Sequence, residues 1–320
     1  MNQPRATDSL RADVSGPIDL FICSASFEER CMKLPESIAR NCETTRVLVV
    51  FNENEDEVTV VNSKRLLKLF EGKSEGVALN TDNPAKNIIA LNASLDSLLQ
   101  AAVIERVFLD CSTFTHEGLL MMFRLLEYKR EKYAELLVGY VGAKDYSTDE
   151  PDPEKKWLSS GIREIRSVIG YPGVISPARS NHLIVVFGFE VERTMALIEH
   201  VQFDKVSLGF GPEHESIDSA HHHINVVRHR HLMDVYPHAT GFELSLTDMN
   251  RAKASIDRQV ASFPGANTVI APMNNKVSTL GAALAAIENS SIQLIYVRPV
   301  QYNTKGYSVP REDHYLFRAL

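Results

Sequence analysis

No apolar run in this sequence approaches the ~18–20 residues that a membrane-spanning helix requires, which argues against a helical membrane protein. The opening MNQPRATDSLRADVSGP is polar and lacks the apolar middle of a signal peptide. That pattern predicts a disordered lead over residues 1–17 and a cytoplasmic location. Cysteine is scarce: Cys23, Cys31, Cys42 and Cys111 lie in the first third with no CxxC pair, the usage of cytoplasmic free thiols. GxxxxGK[ST] is absent, so hydrolysis of a nucleoside triphosphate has no support, and neither HExxH nor zinc-finger spacing occurs. Excess positive charge is also missing. The net charge of −7 argues against broad binding to nucleic acid or an anionic membrane, yet leaves room for a small anion in a local basic pocket. What is present, 44% apolar and 23% charged residues over 320 positions, is the composition of a soluble globular chain long enough for two domains.

The chain is written twice. FICSASFEERCMKL (Phe21 to Leu34) has an echo in VVFGFEVERTMAL (Val185 to Leu197). Phe27, Glu28, Glu29, Arg30 and Met32 match Phe189, Glu190, Glu192, Arg193 and Met195 with one inserted residue. Four further matches follow in the same order. RVLVVFNE (Arg46 to Glu53) faces KVSLGFGPE (Lys205 to Glu213), and VALNTDNPAK (Val77 to Lys86) faces FELSLTDMNRAK (Phe242 to Lys253). RVFLDCSTFTHEGLL (Arg106 to Leu120) faces TVIAPMNNKVSTLGAAL (Thr268 to Leu284), and LLVGYVGAKDYS (Leu136 to Ser147) faces IQLIYVRPVQYN (Ile292 to Asn303). In the last pair a tyrosine recurs six residues on, Tyr140 with Tyr146 and Tyr296 with Tyr302.

Each half alternates short β-rich runs with helical patterns of 12–18 residues, the signature of βαβ units and a mainly parallel sheet covered on both faces. The expected fold is therefore α/β, two duplicated Rossmann-like halves packed about a pseudo-twofold axis. Strands are predicted at 18–24, 46–52, 76–80, 105–110 and 135–142, and again at 182–188, 205–210, 241–246, 267–272 and 291–298. The first half, with a linker helix over WLSSGIREIRSVIGY, is expected to span 18–175, and the second 176–320. In that helix Ile162, Ile165 and Ile169 would share one face and Arg163 and Arg166 another, with Trp157 and Tyr171 as anchors.

Ligands of open α/β sheets gather beyond the carboxyl ends of the strands. The loop Ala271 to Thr279 offers Asn274, Asn275, Lys276, Ser278 and Thr279 ahead of a small-residue helix, a set that suits an anion such as phosphate. Its counterpart in the first half holds Asp110, Cys111, Ser112, Thr113, Thr115, His116 and Glu117. These could support acid–base or nucleophilic chemistry, or could cap a helix while Asp110 binds ligand or backbone. Arg30 and Arg193 have two readings: ion pairs at helix starts, or phosphate ligands lining a central cleft. In the run AHHHINVVRHRHLMDVYPH three consecutive histidines cannot point one way on a helix, so a basic, partly exposed helix is expected there and no metal site.

IAPMNNKVSTLGAALA resembles the strand, Thr-Gly-Gly-Thr-Lys, helix loop of the CRISPR-associated Rossmann fold (CARF) family. Lys276 takes the place of the motif lysine and Asn274 and Asn275 that of the small residues; the glycines are missing. Two such halves in one chain resemble the SAVED family, in which two CARF-like units are fused. The resemblance implies sensing of a cyclic oligonucleotide in bacterial antiphage defence. Most members carry an attached nuclease, protease or transmembrane effector, and none is expected within these 320 residues.

The sequence thus predicts a ligand sensor that binds a nucleotide-type anion between its halves. The expected ligand set is Lys276, Asn274, Asn275, Ser278, Thr279, Asp110, Ser112, Thr113, Thr115, Arg30 and Arg193. A protein partner would read the change, with no membrane and no broad nucleic-acid binding. No cofactor is expected and no catalytic residue is assigned. The rivals are a hydrolase or phosphodiester-cleaving enzyme using His116, Asp110 or the histidine cluster, and a non-catalytic scaffold subunit of a defence complex.

Overall fold

A computed structural model describes residues 4–6, 10–14, 16–53, 56–100, 103–152, 155–201 and 203–319. All ten predicted parallel strands form. They fall in two sheets, belonging to two units: unit 1 is Met1–Lys144 with Ser308–Leu320, and unit 2 is Asp145–Tyr307.

In unit 1 the parallel strands lie in the order Ser74–Leu79, Thr44–Asn52, Ile18–Ser24, Arg106–Asp110, Glu135–Tyr140. The central strands are apolar on both faces, with Leu20, Phe21, Ile22, Leu48, Val49 and Phe108 fully buried, as a parallel sheet covered on both sides demands. Helices follow the strands, and their starts are written in the sequence. Asp56, Asn83 and Thr115 each accept a backbone N–H three residues on, from Thr59, Lys86 and Gly118, which satisfies one of the orphan donors of the first turn.

Unit 2 repeats the plan. Its order is Thr240–Glu243, Lys205–Phe210, Asn181–Val186, Asn267–Pro272, Gln293–Arg298. In both sheets the strands of a half thus run third, second, first, fourth, fifth. Identical order in both halves is what the internal sequence matches led one to expect.

Three expectations fail at the seams. The predicted linker helix is instead the strands Ser159–Ser160 and Glu164–Pro172. The latter runs antiparallel to Gln293–Arg298, with Ile165 opposite Val297 and Ser167 opposite Ile295. The β-branched Ile165, Val168 and Ile169 favour an extended chain, and the i, i+3 spacing misled. Second, because this strand completes the second sheet, the division falls at Lys144/Asp145 and not near Ser176. Third, the C-terminal strand Asp313–Ala319 belongs to the first sheet, antiparallel to Glu135–Tyr140. The exchange is reciprocal: Glu164–Pro172, downstream of the parallel strands of the first half, joins the second sheet, and Asp313–Ala319, downstream of those of the second half, joins the first. Parts of residues 1–17 are also ordered, the remainder lying outside the described residues. Arg5–Ala6 pairs with His314 and Asp313, and Leu10 and Val14 of the helix Leu10–Val14 are buried in the core of unit 1.

Helices Met249–Ser262 and Lys276–Glu288 approach closely where Gly281 meets Ala252. A β-carbon at 281 would lie 2.6 Å from Ala252 Cβ and 3.0 Å from Lys253 N and Met249 O. Alanine gains about 1 kcal/mol of helix propensity, but overpacking against backbone costs about 1–3 kcal/mol. Gly281→Ala is therefore expected to destabilise unit 2 by about 1–2 kcal/mol net, read as a lower urea midpoint in the emission of Trp157, the sole tryptophan.

Candidate functional site

Most of the predicted ligand residues have hydrogen-bond partners within the protein. Asn275 caps the helix Lys276–Glu288 by accepting Ser278 N–H at 2.9 Å, and its amide donates to Leu246 O at 2.7 Å. Asn274 donates to Phe187 O and accepts Asn275 N–H. The hydroxyls of Ser278 and Thr279, both fully buried, donate back to Asn275 O. Lys276 is half-buried at the first position of the helix. In unit 1, Thr113 donates to Ser24 O at 2.7 Å and Thr115 is the cap of the helix His116–Tyr128.

Asp110 accepts both Ser112 N–H (3.0 Å) and Ser112 O–H (2.5 Å), and Ser112 Oγ accepts Val141 N–H. Burial pushes the Asp110 carboxyl up to about 6, opposed by the Ser112 donors and by the Arg30 charge. Between the ordinary carboxylate range near pH 4 and about pH 6 the folded chain holds a proton that the unfolded chain has lost. Stability from this group is therefore full below pH 4 and falls as pH rises through 6. Asp110→Asn keeps an acceptor for Ser112 and removes the charge. The gap in unfolding free energy between this variant and wild type is expected to shift by about 3 kcal/mol in the variant's favour from pH 4 to pH 8, measured by urea unfolding at each pH.

The repeated Glu-Arg corner resolves into a clamp. In unit 1, Arg30 donates twice to Glu28 Oε2, at 2.8 and 2.5 Å, and once to Val141 O at 3.2 Å. Glu28 Oε2 also accepts the Ser308 hydroxyl at 2.6 Å. In unit 2, Arg193 donates to Val297 O and, at 2.6 Å, to Ser159 Oγ, while Glu190 Oε1 accepts Ser159 N–H at 3.1 Å. Val141 and Val297 hold equivalent places, each following its repeated tyrosine. Ser308 and Ser159 both come from the exchanged segments. Each corner thus ties the start of the first helix to the end of the fifth strand and to the incoming chain. Both arginines are buried, 3% and 8% exposed. The ion-pair reading of Arg30 matches its geometry.

The one-residue insertion in the second corner changes its outcome. Val191 pushes the arginine along, and Glu190 is engaged by Ser159 in place of a bidentate arginine fork. Burial raises the Glu190 carboxyl, opposed by Arg193, Ser159 and Arg228. Beside it opens a cleft of about 960 Å³ in unit 2, beyond the carboxyl end of Asn181–Val186. Three segments build it. The exchanged chain gives Lys155, Trp157 and Ser160; the corner gives Phe189 and Glu190; the helix Ser219–Val235 gives His223, Val227, Arg228 and His231.

His223, Val227 and His231, spaced by four, share one face of that helix. Arg228 sits with its guanidinium 4.9 Å from the centre of the Phe189 ring and donates to Phe189 O (3.1 Å) and Lys156 O (2.6 Å). Burial lowers its pKa and the Glu190 carboxylate opposes that. Of the three consecutive histidines, His221 is buried, 3.0 Å from both Asp218 and Asp145, His222 is half-buried and His223 exposed. Among the described residues no group of three His, Cys, Asp or Glu is placed to hold a metal.

The eleven predicted ligand residues lie outside the cleft lining. Trp157, Phe189 and Glu190 stand out in the sequence and Arg228 lies in its histidine-rich run, but nothing there joins them. They come from three segments, one of which was read as a helix. The one local signal was the inserted Val191, which distinguishes the second corner from the first.

No family model matches the chain, and no curated protein matches it. Among solved structures it is similar to the cytoplasmic domain of a prokaryotic cation chloride cotransporter. The match has 7% identity and a TM-score of 0.28, covering 88% of this chain and 95% of that one. A likeness that slight carries no argument. Among the described residues no helix is long and apolar enough to cross a membrane.

Proposed function

We propose that the protein is a non-catalytic ligand sensor and that unit 2 takes a nucleotide-type anion in the cleft beside the second corner. One observation carries this reading: an indole and apolar side chains face the same cleft as Arg228, Lys155 and two histidines, beyond the carboxyl end of a parallel strand. A flat aromatic base suits the Trp157 side, and a phosphate suits the cationic side. The likeness of Ile270 to Ala285 to the CARF loop extends the proposal to a cyclic oligonucleotide and to a protein partner in an antiphage system.

Thermal unfolding with linear and cyclic ribonucleotides tests it. Binding to the native state raises stability by RT ln(1 + [L]/Kd), so a rise in Tm without turnover is the expected result. Arg228→Lys keeps the charge and loses the planar fork, and is expected to weaken binding roughly 10–100-fold. Turnover of the nucleotide would favour the hydrolase, and no stabilisation by any of them would remove the proposal.

A further inference from the structure

The chain enters unit 2 at Asp145 and leaves it at Tyr307. These two ends are fastened to each other inside unit 2. Ser147 N–H donates to Tyr307 O at 3.1 Å and Thr148 N–H to Gly306 O at 2.8 Å. The Tyr146 and Tyr307 rings meet edge to face at 6.3 Å. Asn303, 3% exposed, locks the fastening from within: its amide donates to Asp149 Oδ1 at 2.8 Å, to Trp157 O at 3.3 Å and to Ser147 Oγ at 3.5 Å. Ser147 Oγ in turn accepts Trp157 N–H at 3.1 Å, and Asn303 N–H donates to Leu158 O at 2.8 Å.

Two features mark this clasp as more than a tidy turn. Ser147 is fully buried and, among the described residues, alone of the non-glycine residues has a positive φ, 50°. A side chain in that conformation is strained and persists only where its surroundings enforce it. Gly306 leaves no room for a side chain, since a β-carbon there would lie 2.7 Å from Asp149 N. The clasp also has two neighbours along the chain. On one side Trp157, Ser159 and Ser160 form a wall of the cleft. On the other, Ser308 ties to Glu28, and Asp313–Ala319 pairs with Glu135–Tyr140 to complete the sheet of unit 1.

We propose that this clasp is a conformational switch that couples the cleft wall of unit 2 to the closing strand of unit 1. With the clasp shut, the strand is delivered to its place on a short tether and little chain entropy is lost on docking. With it open, the tether lengthens and the strand leaves more readily. Coupling of this kind is reciprocal, so loosening the strand must also loosen the clasp. A ligand seated against Trp157 and Ser159 would hold the clasp shut. That last step rests on the proposed reading of the cleft; the clasp itself does not.

Hydrogen exchange on the full-length chain tests it without any ligand. Asn303→Ala removes the internal lock and Gly306→Ala wedges the clasp apart. Each is expected to speed exchange of the Leu316 to Ala319 amides about tenfold or more, while amides of Asn181–Val186 in the core of unit 2 stay within about twofold of wild type. Faster exchange at Ser147 and Thr148 with no change at Leu316 to Ala319 would overturn the proposal. Phe317→Ala, outside the clasp, covers the case in which the other two variants do not fold. It is expected to speed exchange at Ser147 and Thr148 by a similar factor, and unchanged rates there would equally overturn the coupling. Adding ATP or a cyclic ribonucleotide to wild type separates the two readings. Failure to bind removes the nucleotide site and leaves the variant results standing.

Discussion

Glu28→Ala is expected to destabilise the protein by about 3–5 kcal/mol, one of the largest effects of any surface-remote single change in unit 1. The reason is what it leaves behind. Arg30 is 3% exposed, and its charge is answered by two hydrogen bonds from Nε and Nη2 to one carboxylate oxygen. Removing that carboxylate takes a directly bonded counter-charge from a buried guanidinium, which is the costly way to break a buried pair. It also leaves the Ser308 hydroxyl without its acceptor. Replacing both charges by apolar side chains of similar volume, Glu28→Leu with Arg30→Met, should recover most of the loss, because an intact buried pair contributes little net stability. Arg30→Met loses the bond to Val141 O as well, so a full return to wild type is not expected. Urea unfolding of the two single variants and the double variant gives the cycle. A loss under 1 kcal/mol for Glu28→Ala would mean the corner is not the clamp described.

A chain ending at Tyr307 should lose unit 1 and keep unit 2. Deleting 308–320 takes away Asp313–Ala319, the antiparallel neighbour of Glu135–Tyr140, and with it the partner of Arg5–Ala6. It uncovers a sheet edge and removes the buried Phe317, His314 and Ala319. Phe317 alone carries about 2–3 kcal/mol of burial, and the unpaired edge of Glu135–Tyr140 adds several lost backbone bonds. The total rivals the 5–15 kcal/mol that holds a typical domain folded. Unit 2 is contiguous and contains every strand of its own sheet. Limited proteolysis should therefore cut within 1–144 and spare a fragment near 145–307, with the Trp157 emission kept near its native position. Equal protection of both units would show that the C-terminal strand is dispensable.

The sequence announced the sheets and hid their seams. Strands such as Ile18–Ser24 and Asn267–Pro272 are written as apolar runs bounded by polar loops, and doubly covered parallel strands can be little else. Repetition of five stretches in order makes the shared topology legible from the sequence alone. Glu164–Pro172 was missed because Ile162, Ile165 and Ile169 also fit a helical stripe, and only pairing with Gln293–Arg298 decides between the two periods. Strand exchange is a non-local choice: nothing near Asp313 says that its partner lies at Glu135.

The same limit explains the site. Asn274, Asn275, Ser278 and Thr279 look like ligand groups because capping and anion binding call on the same donors and acceptors at a helix start. In this structure those groups hydrogen-bond to nearby backbone. The cleft was hidden for the opposite reason, since its members are individually ordinary and gain meaning only where three segments converge.

Trp157 offers the most direct measurement of the central claim, being the one indole of the chain and a wall of the cleft. Titrating linear and cyclic ribonucleotides while following its emission should give a saturable change, and Arg228→Lys should shift the midpoint to roughly 10–100-fold higher concentration. Emission that stays flat to millimolar nucleotide, with no accompanying rise in Tm, would contradict a nucleotide-type ligand in this cleft.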